Sequence, residues 1–149
     1  MIEQRFKDLE KLVVAAEEKG IDPQVQSYFC KLGIVLVCGN IERCVEHIVT
    51  ERVGRSPQVT SFLKGYFKRG TNYDCEEIKN LFYRFDKKWG GAFEDFVTNN
   101  IFVKDSISSC YGLRNALAHG GTANIGHRAL RQYFNASFDL VAQAEFCLR

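Results

Sequence analysis

From Asp22 to Val49 the chain reads DPQVQSYFCKLGIVLVCGNIERCVEHIV. Asp22 is a residue type that caps helices, and Pro23 fits the first helical position after the cap. From Tyr28 onward apolar residues recur at helical spacing: Phe29, Leu32, Val35, Leu36, Ile41, Val45, Ile48 and Val49. The pattern predicts one long helix, in which Gly33 and Gly39 mark close packing against a neighbour.

Segments on both sides of this helix show the same periodicity. The expected helices are Ile2–Lys19 ended by Gly20, a segment opened by Ser56-Pro57 and closed by Gly70, a helix capped by Asp74 and carrying Phe85, one from about Val103 to His119, and one from about His127 to Leu148. A short continuation is expected after Gly90-Gly91. The last helix is predicted to bury Leu130, Tyr133, Phe134, Phe138, Val141, Ala144 and Leu148. The fold class predicted is all-α, an antiparallel bundle of about five to six helices forming one domain over residues 1–149.

Composition agrees with a helical globular chain. Apolar residues make up 46%, with 12 Phe and 6 Tyr, which excludes disorder, and only 2 Pro argue against a many-stranded sandwich. The formal charge of +2 is too balanced to indicate a nucleic-acid binder. Any site for a polyanion must therefore be local.

The cysteines, the apolar runs and the first residues of the chain bear on the cellular compartment of the protein. Six cysteines form no C-x-x-C pair and stand among apolar neighbours, so we expect reduced core thiols and no metal site. Leu32–Cys38 is too short for a membrane helix and is interpreted as a buried helix segment. Met1–Glu10 lacks the basic start and apolar core of a signal peptide, so a cytoplasmic location is expected.

The segment Arg114–His119, RNALAH, holds the strongest candidates for chemistry. On an ideal helix Arg114 and His119 lie roughly 140° and about 7.5 Å apart, yet a long Arg side chain and a His at the last turn can converge on one phosphate. Asn115, four residues before His119, is its neighbour on the same face. The alternative is structural, with His119 bonding terminal carbonyls ahead of Gly120-Gly121 and Arg114 solvated.

The segment from Arg114 to Gly120 resembles the Arg, four residues, His motif of the HEPN superfamily. The resemblance to its RiboL-PSP-HEPN group extends to Phe85-Asp86-Lys87-Lys88-Trp89 and to Tyr133 on the last helix. Gly20-Ile21-Asp22-Pro23 and the long helix fit less distinctively. The resemblance implies an all-α bundle that pairs as a two-fold homodimer and cleaves RNA without a metal or other cofactor.

By this resemblance Arg114 stabilises the scissile phosphate, His119 assists proton transfer and Asn115 positions them. The implied function is a metal-independent endoribonuclease, a toxin or anti-phage effector with RNA as substrate and a cognate antitoxin or defence-system protein as partner. The alternatives are a catalytically silent HEPN module that binds a nucleotide or a protein, and a purely structural adaptor. Both Arg114→Ala and His119→Ala are expected to abolish cleavage at a stability cost within about 1 kcal/mol.

Other candidates have simpler explanations. Some HEPN toxins are silenced by nucleotidylation of a Tyr two positions after the motif His, and Gly121 occupies that position here. One of Glu42 and Glu46 could orient Arg114, but solvated helix charges explain both and they are left outside the site. His47 and His127 are interpreted as surface or partly buried helix residues, not ligands. Phe85 and Trp89 are interpreted as core or dimer contacts, not base-stacking platforms. The basic cluster Lys64, Lys68 and Arg69 fits an RNA groove or a solvated face equally well.

Overall fold

The computed structural model describes residues 1–70 and 72–149, and these residues form seven α-helices without a strand. The helices are α1 (Ile2–Ala16), α2 (Pro23–Val53), α3 (Pro57–Phe67), α4 (Cys75–Phe85), α5 (Lys87–Asn99), α6 (Ile101–Ala118) and α7 (His127–Cys147). The all-α prediction is confirmed. The structure contains more helices than the five to six expected.

Helix α2 is the centre of the bundle, and α1, α6 and α7 pack against it. It begins as predicted: the Asp22 carboxylate accepts hydrogen bonds from the backbone N–H of Gln24 at 2.9 Å and Val25 at 3.1 Å. Gly33 is buried, and a Cβ there would lie 2.6 Å from the Leu130 side chain of α7. The glycine therefore allows α7 to approach α2 closely.

The additional helix arises because the chain breaks at Asp86, not at Gly90-Gly91. Asp86 is extended (φ −157°, ψ 129°), and its carboxylate accepts a hydrogen bond from the Lys88 N–H at 2.6 Å, so it ends α4 and caps α5. Gly90 lies inside α5, where a Cβ would overlap the Tyr83 ring. The expected helix break at the two glycines was wrong, because Gly90 lies within α5 and its lack of a side chain allows α5 to pack against Tyr83 of α4.

Two predictions of burial were also wrong. In Leu32–Cys38, expected to be buried, four residues are buried, but Leu32, Val35 and Leu36 are between 43% and 49% exposed, because no helix among the described residues covers that face of α2. Phe138 is 52% exposed, since the Phe6 ring packs against it edge-on and leaves the rest of the ring open. All six cysteines are free thiols, and all but Cys147 are buried.

Within the part of the chain that the structure describes, no helix is both long and apolar enough to cross a membrane.

Candidate functional site at the C-terminal end of helix α6

Helix α6 ends in two glycines that fix the backbone around His119. Gly120 has a φ of +74° and donates its N–H to the Leu117 carbonyl at 3.3 Å, while Gly121 donates to the Ala116 carbonyl at 2.8 Å. This pair of bonds is the Schellman arrangement, in which a left-handed residue ends the helix. His119 is the last residue before the turn, and its side chain is exposed.

Gly121 is held against the helix as closely as the turn permits. A Cβ at this position would lie 2.8 Å from the Ala116 carbonyl oxygen, so any larger residue would displace the turn. The position that carries a modifiable Tyr in some HEPN toxins is therefore also sterically restricted in this chain.

Arg114 extends from α6 into the groove between α6 and α2. Its Nη1 donates to Glu42 Oε1 at 3.2 Å, its Nη2 donates to Asn72 Oδ1, and its guanidinium lies 5.2 Å from the centre of the Tyr111 ring. The side chains of Arg114 and Glu42 are 22% and 24% exposed. Arg114 is thus held in one orientation and is not the solvated charge of the structural alternative.

Asn72, in the connection between α3 and α4, extends this network to the next residue of the motif. While its oxygen accepts from Arg114, its Nδ2 donates to Asn115 Oδ1 at 3.5 Å. A chain of hydrogen bonds therefore runs from Glu42 through Arg114 and Asn72 to Asn115. The Asn115 amide faces Asn72, a contact that helical spacing did not indicate.

Arg114 and His119 remain on different sides of α6. Arg114 points into the α2 groove, whereas His119 shares the exposed face of α6 with Asn115 and Gly112. In residues 1–70 and 72–149 no hydrogen bond joins the two motif side chains, and the His119 ring makes none. One chain presents its cation and its imidazole separately.

Burial and neighbouring positive charges shift the pKa of Glu42 in opposite directions. Burial raises the pKa of the Glu42 carboxyl, and the attraction of Arg114 and Arg43 only partly offsets this effect. Burial also raises the pKa of the Tyr111 hydroxyl, which donates to the Cys38 carbonyl at 3.4 Å. The Tyr111 side chain is therefore uncharged, and its ring packs against the Arg114 guanidinium.

The other sequence candidates lie elsewhere. Glu46 pairs with Arg43, and His47 lines surface depressions formed with residues of α1 and α7. His127 Nδ1 lies 3.3 Å from Gln26 Nε2 at the start of α7. None of these side chains contacts the motif.

The two aromatic candidates upstream are neighbours of each other, with ring centres 6.4 Å apart. Trp89 packs against the core, and the Arg52 guanidinium lies 5.6 Å from the centre of its ring. Phe85 is 41% exposed. Their place on α4 and α5 makes them packing residues of that helix pair.

Three side chains that hold Arg114 were not selected from the sequence. Tyr111 precedes Arg114 by three residues and so shares its side of α6, a signal that was present. Glu42 was considered but left outside, because one sequence does not show which face of α2 meets α6. Asn72 had no detectable signal, since it stands in a connection of no regular pattern.

Among the described residues, no group of three or more His, Cys, Asp or Glu side chains is arranged to hold a metal ion.

Comparison with known proteins bears on the whole chain. A family model described as RiboL-PSP-HEPN matches residues 1–145. No curated protein and no solved structure matches the chain. The family match includes α2 with Glu42, the α3–α4 connection with Asn72, and the end of α6 from Arg114 to Gly121. The chain therefore belongs to the RiboL-PSP-HEPN family.

Proposed function

We propose that this HEPN-type module is a metal-independent endoribonuclease that acts as a toxin or an anti-phage effector. The observation that carries the proposal is the fixed guanidinium of Arg114, held by Glu42 and Asn72, together with the exposed imidazole of His119 five residues later. A fixed cation and a free imidazole supply the two kinds of group that metal-independent phosphodiester cleavage needs, provided that both reach the same phosphate.

The proposed reaction uses the RNA's own 2′-hydroxyl as nucleophile. Its oxygen forms a bond to the adjacent phosphorus while the bond from phosphorus to the 5′-oxygen breaks. An imidazole accepts the 2′-hydroxyl proton or supplies a proton to the departing 5′-oxygen, and Arg114 stabilises the charge that builds on the phosphate. The products are a 2′,3′-cyclic phosphate and a 5′-hydroxyl.

The contacts of Arg114 leave donors for this role. Each Nη carries two N–H groups, of which one on Nη1 is given to Glu42 and one on Nη2 to Asn72. The second N–H of each nitrogen remains for phosphate oxygens. Glu42 and Asn72 thus orient the guanidinium without using all of its donors.

We further propose that two copies of the chain complete the site. In a single chain the His119 imidazole is turned away from Arg114, whereas the reaction needs the cation and an imidazole at the same phosphate, so we infer that Arg114 of one copy acts with His119 of the other. An exposed apolar stripe on α2, formed by Tyr28, Leu32, Val35 and Leu36, lies on the same helix as Glu42. The exposed face of α6 carries small residues, Ser108, Gly112 and Ala116, up to His119, so a second copy can approach closely. Two-fold pairing over these faces would double the motif.

The test of the reaction is cleavage of an end-labelled RNA in excess EDTA. We expect cleavage to persist, the product to carry a 2′,3′-cyclic phosphate, and a 2′-deoxy substitution at the mapped site to stop it. Cleavage that EDTA abolishes, or that continues at the deoxy position, would contradict the mechanism.

One observation favours the silent alternative: Arg114 is already bound to two partners within its own chain. In a silent module these contacts would serve the fold alone. Expression of the wild-type chain beside an Arg114→Ala His119→Ala double variant separates the two functions. Growth arrest by the wild-type chain alone supports the nuclease, whereas equal arrest by both chains supports a binding module.

A further inference from the structure

A second feature of the molecule lies beside the motif, in the segment between Glu51 and Asp74. Residues 52–73 include five cationic side chains, Arg52, Arg55, Lys64, Lys68 and Arg69, and contain no Asp or Glu, although the chain has 18 acidic residues in all. All five cations are exposed. Among the described residues none of them forms an ion pair, whereas the exposed Lys7 and Lys11 of α1 do. This segment is a local concentration of uncompensated positive charge.

Helix α3 adds exposed aromatic surface to this charge. Phe62 is 67% exposed, and its ring stacks on that of Tyr66 with centres 6.5 Å apart and planes 28° apart. The Tyr66 hydroxyl accepts a hydrogen bond from Arg84 Nη1 at 3.4 Å, so a further cation adjoins the rings. An exposed ring stacked on a partly buried one, with cations nearby, is suited to bases and phosphates together.

The aromatic contacts continue from α3 to the motif. Tyr66 contacts Phe67 and Phe67 contacts Tyr73, each with ring centres 5.5 Å apart. Tyr73 is buried and directly follows Asn72, whose side-chain oxygen accepts from Arg114. The stacked ring pair of α3 is therefore joined by packed side chains to the residue that holds the Arg114 guanidinium.

From these observations we infer that the α3 platform, consisting of Phe62, Lys64, Tyr66, Lys68 and Arg69, binds the single-stranded RNA that flanks the cleaved phosphate. The inference rests on the proposed function, because it names how that site holds its substrate. Phe62 offers its open face to a base, with Tyr66 stacked behind it. Arg69, seven residues after Phe62, lies on the same side of α3 as that ring, whereas Lys64 and Lys68, four residues apart, form a second row of cations roughly 120° to 160° around the helix from Phe62.

Charge decides between RNA and a protein partner for this surface. A protein docking on Phe62 would need acidic groups opposite at least three cations of the platform. A nucleic-acid strand carries one phosphate and one aromatic base in every nucleotide. The phosphates can pair with the cations of the platform, and a base can stack on the Phe62 ring. A single-stranded substrate is also required by the chemistry, because in-line attack by a 2′-hydroxyl needs a flexible backbone.

The test is fluorescence anisotropy with the full chain and a fluorescein-labelled 2′-O-methyl oligonucleotide of mixed sequence, which has no free 2′-hydroxyl to react. Phe62→Ala is expected to weaken binding about 5- to 150-fold, the effect of losing one stacked base. Phe102→Ala is the matched control, since Phe102 is also 67% exposed but lies at the opposite end of α6 from the motif. It should leave affinity unchanged.

A salt titration tests the cations. The Lys64→Ala Lys68→Ala variant should reduce the slope of log affinity against log salt by about 1.4, or about 0.7 for each lost phosphate contact. The exposed cations Lys19 and Arg128 lie away from α3, and replacing both by Ala should leave the slope unchanged.

Cleavage is measured separately, in single-turnover reactions with unmodified RNA. If the protein cleaves, Phe62→Ala should raise the half-saturating concentration and leave the maximal rate unchanged. Binding that is as tight in Phe62→Ala as in the wild type would overturn the platform whether or not RNA is cut, as would a wild-type chain that does not bind the oligonucleotide. Loss of binding in Phe62→Ala alone, without cleavage by any variant, would support the platform and contradict the proposed nuclease.

Discussion

At the scale of single residues, Arg114 and His119 have different surroundings although they belong to one motif. Arg114 is mostly buried, gives hydrogen bonds to Glu42 and Asn72, and has a buried Nε without a partner among the described residues. His119 is exposed, and among those residues its hydrogen bonds are made by its backbone. The sequence indicated equal and small stability costs for removing either side chain. The structure changes that expectation for Arg114.

Arg114→Ala should lower the free energy of unfolding by about 1–3 kcal/mol, because it leaves the half-buried Glu42 carboxylate and the Asn72 amide without their partner. His119→Ala should change it by less than about 0.5 kcal/mol. Both should lose cleavage. Urea unfolding of the two variants beside the wild type measures the difference, and equal stabilities would mean that the Arg114 contacts contribute nothing to the fold.

Arg114→Lys is the matched variant for this comparison. It keeps the charge near Glu42 but cannot give separate hydrogen bonds to Glu42 and Asn72 from one planar group. We expect it to recover part of the stability and none of the cleavage. Recovery of cleavage would show that charge alone is sufficient at this position.

The raised pKa of Glu42 gives a pH-dependent prediction. Because the folded chain binds a proton at Glu42 more readily than the unfolded chain, this group stabilises the fold below its ordinary value of 4.5. That contribution is lost as the pH rises through the folded pKa. The free energy of unfolding of the wild type, taken relative to Glu42→Gln, should therefore fall as the pH is raised from about 4 to 7. Parallel pH profiles in urea unfolding would contradict it.

At the scale of helices, the sequence predicted what local chemistry determines and missed what tertiary contacts determine. The Asp22 and Asp74 caps and the glycine end of α6 each depend on neighbours in the chain, and each is found as predicted. The place of Gly90 inside α5, and not at the helix break, depends on its contact with Tyr83, seven residues away and on the other helix of the pair. No periodicity within one helix reveals such a contact.

This helix pair provides a test of the packing. Gly90→Ala should lower the free energy of unfolding by about 1–3 kcal/mol, because the new methyl group overlaps the Tyr83 ring. At Gly91 the nearest atom to a new Cβ is the Tyr83 hydroxyl oxygen at 3.9 Å, so Gly91→Ala should stabilise α5 by up to about 1 kcal/mol. Thermal unfolding of both variants measures the contrast. Equal effects would show that Gly90 is not a packing residue.

At the scale of the whole molecule, the exposed faces of the bundle matter for the candidate site, because they are the surfaces that a second copy of the chain can contact. The exposed apolar stripe of α2 and the exposed face of α6 lie on the two helices that carry Glu42 and Arg114. A stable pairing needs a total buried area of roughly 1,200–2,000 Å². Two faces of long helices can supply such an area, and α2 alone extends about 46 Å at 1.5 Å per residue.

Complementation between two inactive variants tests whether the site is shared between two copies. In a heterodimer of Arg114→Ala and His119→Ala chains, one shared cleft combines the intact Arg114 of one copy with the intact His119 of the other. Random pairing of equal amounts gives heterodimers in half of the dimers, each with one of two clefts intact. Co-expressed variants should therefore recover about a quarter of the wild-type cleavage rate.

The control for this experiment is a substitution that disrupts the proposed interface. Adding Leu32→Asp to both variants places a charge in the apolar stripe of α2, which should prevent pairing and remove the recovered activity, since an unpaired buried carboxylate is costly. Phe146→Asp, at an exposed phenylalanine of α7, should leave the recovery intact. Absence of recovery in a mixture shown by light scattering to be dimeric would mean that Arg114 and His119 act within one chain. In that case, the Arg114 side chain would have to leave the α2 groove to reach the phosphate that His119 serves.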